Sequence, residues 1–454
     1  MSPAPSSGRA DTRRAISPLA ALTLAALAVR LLFVFLEPAT APVADETMWT
    51  TWGAEVLPSP DVRFSPTAFR LIFHPPLYPY FIGSLYALFG TLTAVKVAQA
   101  LVSALLVPAL GRLGEALFGE RAGLLAAGIA AFYPELVWFS AHFWVETLFV
   151  VLLWWGFERL LAADRDGSLP RAAAAGLLFG LAVLARETVL YFLPLAAVWL
   201  GWRRPRGIAR AALFLAVALA TVAPWTWRNW RVYGAFVPVS TAGALNLWQG
   251  NARLSRPEVY ERYWAVHGNI EKYRFARRKG LEAVWERQPA WLFEKLRQEM
   301  PRFWEADSQA LVHVVRGAYG PYEKKTAVAA AVVVLAPFLA VLVLFVPGLA
   351  ALPRERGPLL LAGFLAFYVL LHVAAHGYAR YRLPAMPVVF LVAAHAAAAG
   401  RARSYPRLTT TRRLVGAATA LTLALSVAPS LVSWFTDPWG PGPAEAAEEG
   451  QEAP

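Results

Sequence analysis

Residues 74–90 read His-Pro-Pro-Leu-Tyr-Pro-Tyr-Phe-Ile-Gly-Ser-Leu-Tyr-Ala-Leu-Phe-Gly, and whether they cross a membrane decides the topology of everything that follows. A spanning helix takes ~20 mostly apolar residues. Around this stretch, runs that meet or approach that requirement lie at 16–36, 92–111, 122–140, 143–163, 172–186, 189–202, 209–227, 326–350, 358–376, 383–399 and 413–434. If 74–90 stays on one side, Arg9, Arg13, Arg14, Arg112, Arg121, Arg159, Arg165, Arg171, Arg203, Arg204, Arg206, Arg210, Arg354, Arg356, Arg401, Arg403, Arg407, Arg412 and Arg413 share one face. Short loops rich in arginine mark the cytoplasmic side. If 74–90 crosses, most of these arginines are stranded outside. The sequence therefore predicts an all-α polytopic membrane protein of about eleven transmembrane helices, amino terminus inside and carboxyl terminus outside. Segment 74–90 becomes a re-entrant or interfacial helix. Small residues at 39–44 resemble a leader-peptide cleavage site, but the length of 16–36 suits an uncleaved anchor.

Composition agrees with this reading. Of 454 residues, 57% are hydrophobic and 16% charged, against ~25% charged in soluble domains. The net charge of +13 does not point to nucleic acid, because the basic residues punctuate apolar runs instead of gathering on a soluble face. With no cysteine there is no disulfide framework and no thiolate nucleophile or ligand. The chain divides into a cytoplasmic amino terminus and first span (1–36), a first outer loop (37–91), spans two to seven (92–227), a large outer loop (228–325), the last spans (326–434) and an acidic, disordered outer tail (435–454). The large loop holds 17 Lys/Arg and 10 Asp/Glu, about half the excess charge of the chain. It is expected to be mostly helical, with amphipathic helices over 271–307 broken at Pro289 and Pro301 and lying on the membrane surface.

Ionisable residues in or beside spans are costly and are therefore candidates for function. The outer rim gathers Asp45, Glu46, His74, His142, Glu146, Arg186, Glu187, Arg228, His372, His376, Arg380 and Arg382. Asp45 and Glu46 open a helix-compatible segment, which suits either favourable helix electrostatics or a carboxylate base at the surface. Glu146, at the outer start of a span, needs a partner, a metal or a proton. Arg186 and Glu187 are adjacent, so they do not face each other on a helix and should find different partners. Arg380 and Arg382 flank Tyr381, and guanidinium forks suit phosphate oxygens. His372 and His376 are four apart, as in metal-binding pairs, but lack an evident third ligand. Glu37, Glu135 and Lys96 read as isolated packing or interfacial residues.

Several segments carry a resemblance in a consistent order. They are Asp45-Glu46; His74-Pro-Pro-Leu-Tyr78-Pro79; Ser140-Ala-His-Phe-Trp-Val-Glu146; Gly180-Leu-Ala-Val-Leu-Ala-Arg186-Glu187-Thr188; Pro224-Trp-Thr-Trp-Arg228-Asn229; Phe236-Val-Pro-Val-Ser240-Thr241; Asn246-Leu-Trp-Gln-Gly-Asn251; and Arg380-Tyr-Arg382-Leu-Pro384-Ala-Met-Pro387. Together they resemble the bacterial members of the GT-C class of integral-membrane glycosyltransferases, the group that includes protein O-mannosyltransferases and the lipid A aminoarabinose transferase. The resemblance implies a GT-C-like fold and transfer of a sugar from a polyprenyl-phosphate-linked donor to a lipid, glycan or protein acceptor outside the plasma membrane. It implies Asp45 as the base, with Glu46 beside it; Glu146, from its costly place at the start of a span, is a further catalytic candidate. Arg186, Arg380 and Arg382 would bind the donor phosphate, and His74, Tyr78, Arg228 and Asn246 the substrates. The cofactor stays open between a divalent metal and none. The competing readings are a lipid-linked-sugar flippase, which would place polar groups at midplane within inverted repeats, and an envelope scaffold using the large loop.

Overall fold

A computed structural model describes residues 16–37, 41–43, 45–56, 72–202, 205–315, 323–401 and 409–436, and the described residues form helices and connections with no strand. In order the helices are α1 (Pro18–Leu36), α2 (Asp45–Val56), α3 (Leu77–Phe89), α4 (Leu92–Ala104), α5 (Leu106–Phe118), α6 (Glu120–Phe132), α7 (Pro134–Ala141), α8 (Glu146–Asp166), α9 (Leu169–Ala185), α10 (Leu193–Gly201) and α11 (Gly207–Tyr233). The large loop supplies α12 (Ala242–Gln249), α13 (Arg256–Ala265), α14 (Asn269–Trp285), α15 (Trp291–Trp304) and α16 (Gln309–Val315). The chain then continues through α17 (Lys324–Ala350), α18 (Arg356–Ala375), α19 (Met386–Arg401) and α20 (Thr410–Thr436). Short 3-10 turns over Glu187–Phe192 and Ala379–Ala385 lead into α10 and α19.

Among the described residues seven helices are long and apolar enough to cross a membrane, or eight if the bent pair α6–α7 counts as one span. Two of the eleven expected spans are apolar but shorter, Leu169–Ala185 and Glu187–Gly201. Another, α8, runs 21 residues but carries Glu146, Glu158, Arg159 and Asp164 within its length. Breaks fall where the backbone ladder fails. Pro108 has no N–H to offer, the helix steps at Leu105, and Trp155 Nε1 donates to the Leu105 carbonyl at 2.9 Å. Pro134 starts α7 at 47° to α6. Close helix contact rests on small residues, as at Gly180 of α9, where a Cβ would stand 2.8 Å from the Ala218 carbonyl oxygen of α11.

Helix α3 has 13 residues, about 20 Å of rise, short of the ~30 Å hydrocarbon core. It begins beyond Pro76 and ends at Gly90, whose positive φ of 69° closes the helix. Gly53 on α2 lets Ile82 of α3 approach closely, so α2 and α3 form a pair at one end of the spans.

The outer module has a small core of Leu245, Trp248, Val259, Tyr263 and Ala276. Pro289 does separate α14 from α15. Pro301, expected as a break, lies inside α15. The helix continues only one turn past it, held by Phe303 and Trp304, which are buried. The amino-terminal arginines, Arg203, Arg204, Arg403 and the acidic tail lie outside the described residues.

Candidate active site

The site is assembled from five remote segments: the start of α2, the approach to α3, the start of α8, the end of α9, and the turn before α19. Asp45 is the first residue of α2, and its Oδ2 accepts from Arg380 Nη1 at 2.8 Å. Arg186 ends α9 in extended geometry, turning its side chain toward the rim, where Nη1 stands 3.3 Å from Glu146 Oε1. Tyr381 lies between the two cations, with the Arg186 and Arg380 guanidinium carbons each 5.2 Å from its ring centroid. Arg380 also packs over Trp144 at 5.2 Å. The result is two ion pairs, Asp45–Arg380 and Arg186–Glu146, whose cations stand on either side of one aromatic ring.

The two carboxylates differ in access. The Asp45 side chain is 42% exposed and that of Glu146 is 1% exposed. Asp45 can meet an incoming group, whereas Glu146 can only hold what is buried beside it, chiefly Arg186.

His74 lies beside this group, packed against Trp49, Trp52 and Phe73. Burial, reinforced by the Arg186 and Arg380 charges and only partly offset by Asp45, lowers its imidazole to about 4. It is neutral at physiological pH. Tyr78 is fully buried and donates to Gln99 Oε1 at 2.5 Å, and Gln99 Nε2 donates to the His142 carbonyl at 3.0 Å. Tyr78 thus braces the floor of the site.

Other expected residues are engaged elsewhere. Glu46 Oε1 accepts from Phe143 N at 2.9 Å and Oε2 from Val43 N at 3.3 Å, so its carboxylate ties α2 to the α7–α8 turn. Arg382 is 1% exposed. Its Nη1 donates to the Glu305 carbonyl at 2.6 Å and its Nη2 to the Asp307 carbonyl, while the guanidinium covers the Phe338 ring. The fork expected on a phosphate is therefore fastened to backbone, because residues 305–307 fold down onto this turn. Arg228 binds Asn229 Oδ1 at 3.1 Å and stacks on Trp225. Asn246 is exposed on α12.

Arg186 and Glu187 do diverge, for Ser240 Oγ donates to Glu187 Oε2 at 2.7 Å and pins the loop before α12. Glu37 and Lys96, expected to be isolated, pair at 3.2 Å, and His142 Nε2 lies 2.7 Å from Glu37. Burial would raise the Glu37 carboxyl, but His142 and Lys96 outweigh it and hold the group below its ordinary value. His372 and His376 do not form a ligand pair. His372 Nδ1 bonds the Tyr368 carbonyl, while His376 lies past the end of α18, 3.7 Å from Glu299. Among the described residues no three His, Asp or Glu side chains gather to hold a metal ion.

Tyr381, Trp144 and His313 are the residues that sequence reasoning missed. Tyr381 had a signal, a tyrosine between two arginines. His313 had none, since it comes from the end of the large loop and reaches the rim only through folding. Its ring lies 5.8 Å from that of Trp144, and burial lowers its pKa despite the Gln309 carbonyl and the Glu46 and Asp45 charges.

Comparisons with known proteins bear on this geometry. The family model described as dolichyl-phosphate-mannose-protein mannosyltransferase matches residues 73–228, about a third of the chain. No curated protein matches the chain in sequence. The archaeal oligosaccharyltransferase AglB from Archaeoglobus fulgidus, solved with an inhibitory peptide and a dolichol-phosphate, is similar with a TM-score of 0.50 at 13% identity, covering 90% of this chain and 54% of that one. The apo form of the Archaeoglobus fulgidus oligosaccharyltransferase gives a TM-score of 0.50 at 14% identity, covering 90% and 55%. ArnT from Cupriavidus metallidurans bound to undecaprenyl phosphate gives 0.49 at 15% identity, covering 91% and 64%. The chain thus spans about half the length of the oligosaccharyltransferase structures it matches.

Proposed function

The chain has the GT-C fold, and from that premise we propose that it is a membrane glycosyltransferase, moving a sugar from a polyprenyl-phosphate-linked donor to an acceptor on the extracytoplasmic face. The acceptor class is a lipid, glycan or protein hydroxyl. The observation that carries the reading is the Asp45–Arg380 and Arg186–Glu146 pairing around Tyr381 at the outer ends of apolar helices. A lipid-linked phosphate can approach there from the bilayer while a polar acceptor approaches from water. The family described for residues 73–228 and the dolichol-phosphate bound by AglB agree with that donor class. In this reading all eleven expected segments cross, with the arginine-rich loops inside.

The chemistry follows from the geometry. The acceptor hydroxyl oxygen attacks the anomeric carbon from the face opposite the phosphate, so the configuration inverts. The bond from that carbon to the phosphate oxygen breaks, and the leaving polyprenyl phosphate keeps the electron pair. Asp45 takes the hydroxyl proton as the new bond forms. Arg186 and Arg380 stabilise the charge that develops on the phosphate.

In the free protein Arg380 occupies Asp45 Oδ2, so that oxygen is engaged before an acceptor hydroxyl arrives. A donor phosphate competes for the same guanidinium. Donor binding would then release the carboxylate, so the base becomes competent only when there is a sugar to transfer.

The test is purified protein in nanodiscs supplied with a polyprenyl-phosphate sugar and a panel of acceptors, with released polyprenyl phosphate as the readout. Donor-dependent release that disappears in Asp45→Asn is expected. Release unchanged in that variant would refute the assignment of the base.

A further inference from the structure

The hairpin of α14 and α15 carries large apolar side chains that none of the described residues covers. Trp285 is 81% exposed, Phe293 71%, Leu281 51% and Leu292 50%. Clustered exposed apolar surface on this scale marks an interaction site.

The position of the turn identifies its partner. Asn251 Nδ2 donates to the Ala374 carbonyl at 3.0 Å, and Ala374 is the penultimate residue of the spanning helix α18. The Oδ1 of the same amide accepts from Arg287 Nη2 at 3.0 Å and from Trp291 Nε1 at 2.8 Å, both residues of the turn or its edge. Lys295, one turn along α15, donates to the Gly250 carbonyl at 2.6 Å and the Ala375 carbonyl at 3.3 Å. The tip therefore sits at the level where α18 leaves the hydrocarbon. Below it runs the outward face of α18, with Leu359, Gly363, Ala366 and Leu370 exposed at helical spacing and Ala374 next in the row. Asn251 and Lys295 thus tie the apolar tip to the end of the span that carries this exposed row.

We propose that the 281–293 tip seats in the outer leaflet, burying Trp285, Leu292 and Phe293 at the acyl boundary while Arg278 and Lys279 face the headgroups. Aromatic residues flanked by cations suit that interface. The seat also reaches the site. Helix α15, which starts in the tip, carries Glu299, whose Oε2 accepts from Gly377 N at 2.9 Å, three residues before Arg380. Contact with the bilayer thereby steadies the strap that presents Arg380.

The chain has no cysteine, so single-cysteine variants can be spin-labelled without background. Phe293→Cys, Trp285→Cys and the control Glu261→Cys, on an exposed position of α13, would be labelled in full-length protein. Each would be placed in nanodiscs of phosphatidylethanolamine and phosphatidylglycerol. Collision rates would be measured with oxygen, which concentrates in lipid, and with a water-soluble nickel chelate. The tip labels should show an oxygen-to-nickel ratio several-fold above that of the control. A ratio equal to the control at both tip positions would overturn the seat and assign the patch to an aqueous partner such as a protein. Two tip positions guard against one variant failing to fold.

Discussion

Arg380 and Asp45 stand 335 residues apart in sequence and 2.8 Å apart in the structure. The contact joins the turn before α19 to the first residue of α2, two segments that meet at one end of the helix bundle. It leaves the Asp45 side chain 42% exposed and tied on one oxygen to the Arg380 guanidinium.

That tie predicts opposite effects of Asp45→Asn on binding and turnover. Loss of the base should lower turnover by about 10²-fold or more. Release of Arg380 should leave polyprenyl-phosphate affinity unchanged or tighter. Titration of the variant in nanodiscs with polyprenyl phosphate checks this, and weakened binding would show that Asp45 itself contacts the donor.

Arg186→Ala should destabilise the protein, because Glu146 would remain buried without its cation, and breaking a buried pair costs about 3–5 kcal/mol. Adding Glu146→Gln to that variant should recover most of the thermal midpoint but none of the donor use. A double variant no more stable than Arg186→Ala would show that the pair is not what holds this corner.

Arg382 should behave as a structural residue. Each charge-assisted bond to the Glu305 and Asp307 carbonyls contributes about 1.5–3 kcal/mol. Arg382→Ala should lower the thermal midpoint by several degrees while the folded fraction keeps its donor KM. A raised donor KM at unchanged stability would return Arg382 to the phosphate site.

His74 gives the protein an acid-sensitive margin. Its folded value of about 4 lies below the ~6.5 of an unfolded histidine. As pH falls below ~6.5, the unfolded chain takes up a proton that the folded chain refuses, so stability declines down to about 4 and is unaffected at higher pH. His74→Gln should show a smaller loss of thermal midpoint between pH ~7.5 and ~5. Equal losses in the two proteins would remove His74 from the account.

Much of the fold could be read directly because hydrocarbon is a demanding solvent. Runs of apolar residues, bounded by arginine on one side, can form little other than helices across a bilayer. The short α3, the Pro289 break and the divergence of Arg186 from Glu187 follow from length, proline chemistry and helix geometry. Pro301 escaped the same logic, because burial of Phe303 and Trp304 carries α15 one turn past the missing N–H.

The site was legible only by residue type. An arginine beside an outer boundary looks the same whether its guanidinium faces a phosphate or a backbone carbonyl. Arg380 and Arg382 are two residues apart with the same local chemistry, and tertiary packing separates them. Residues 305–307 descend onto Arg382, while Arg380 meets Asp45 and Tyr381. By itself, then, the sequence determined a helical membrane protein with its carboxylates and cations gathered at one rim, since hydrophobic length and charge bias are local properties. Which carboxylate meets which cation, and which cation stays available to a ligand, depended on contacts between segments hundreds of residues apart, which only the folded chain sets.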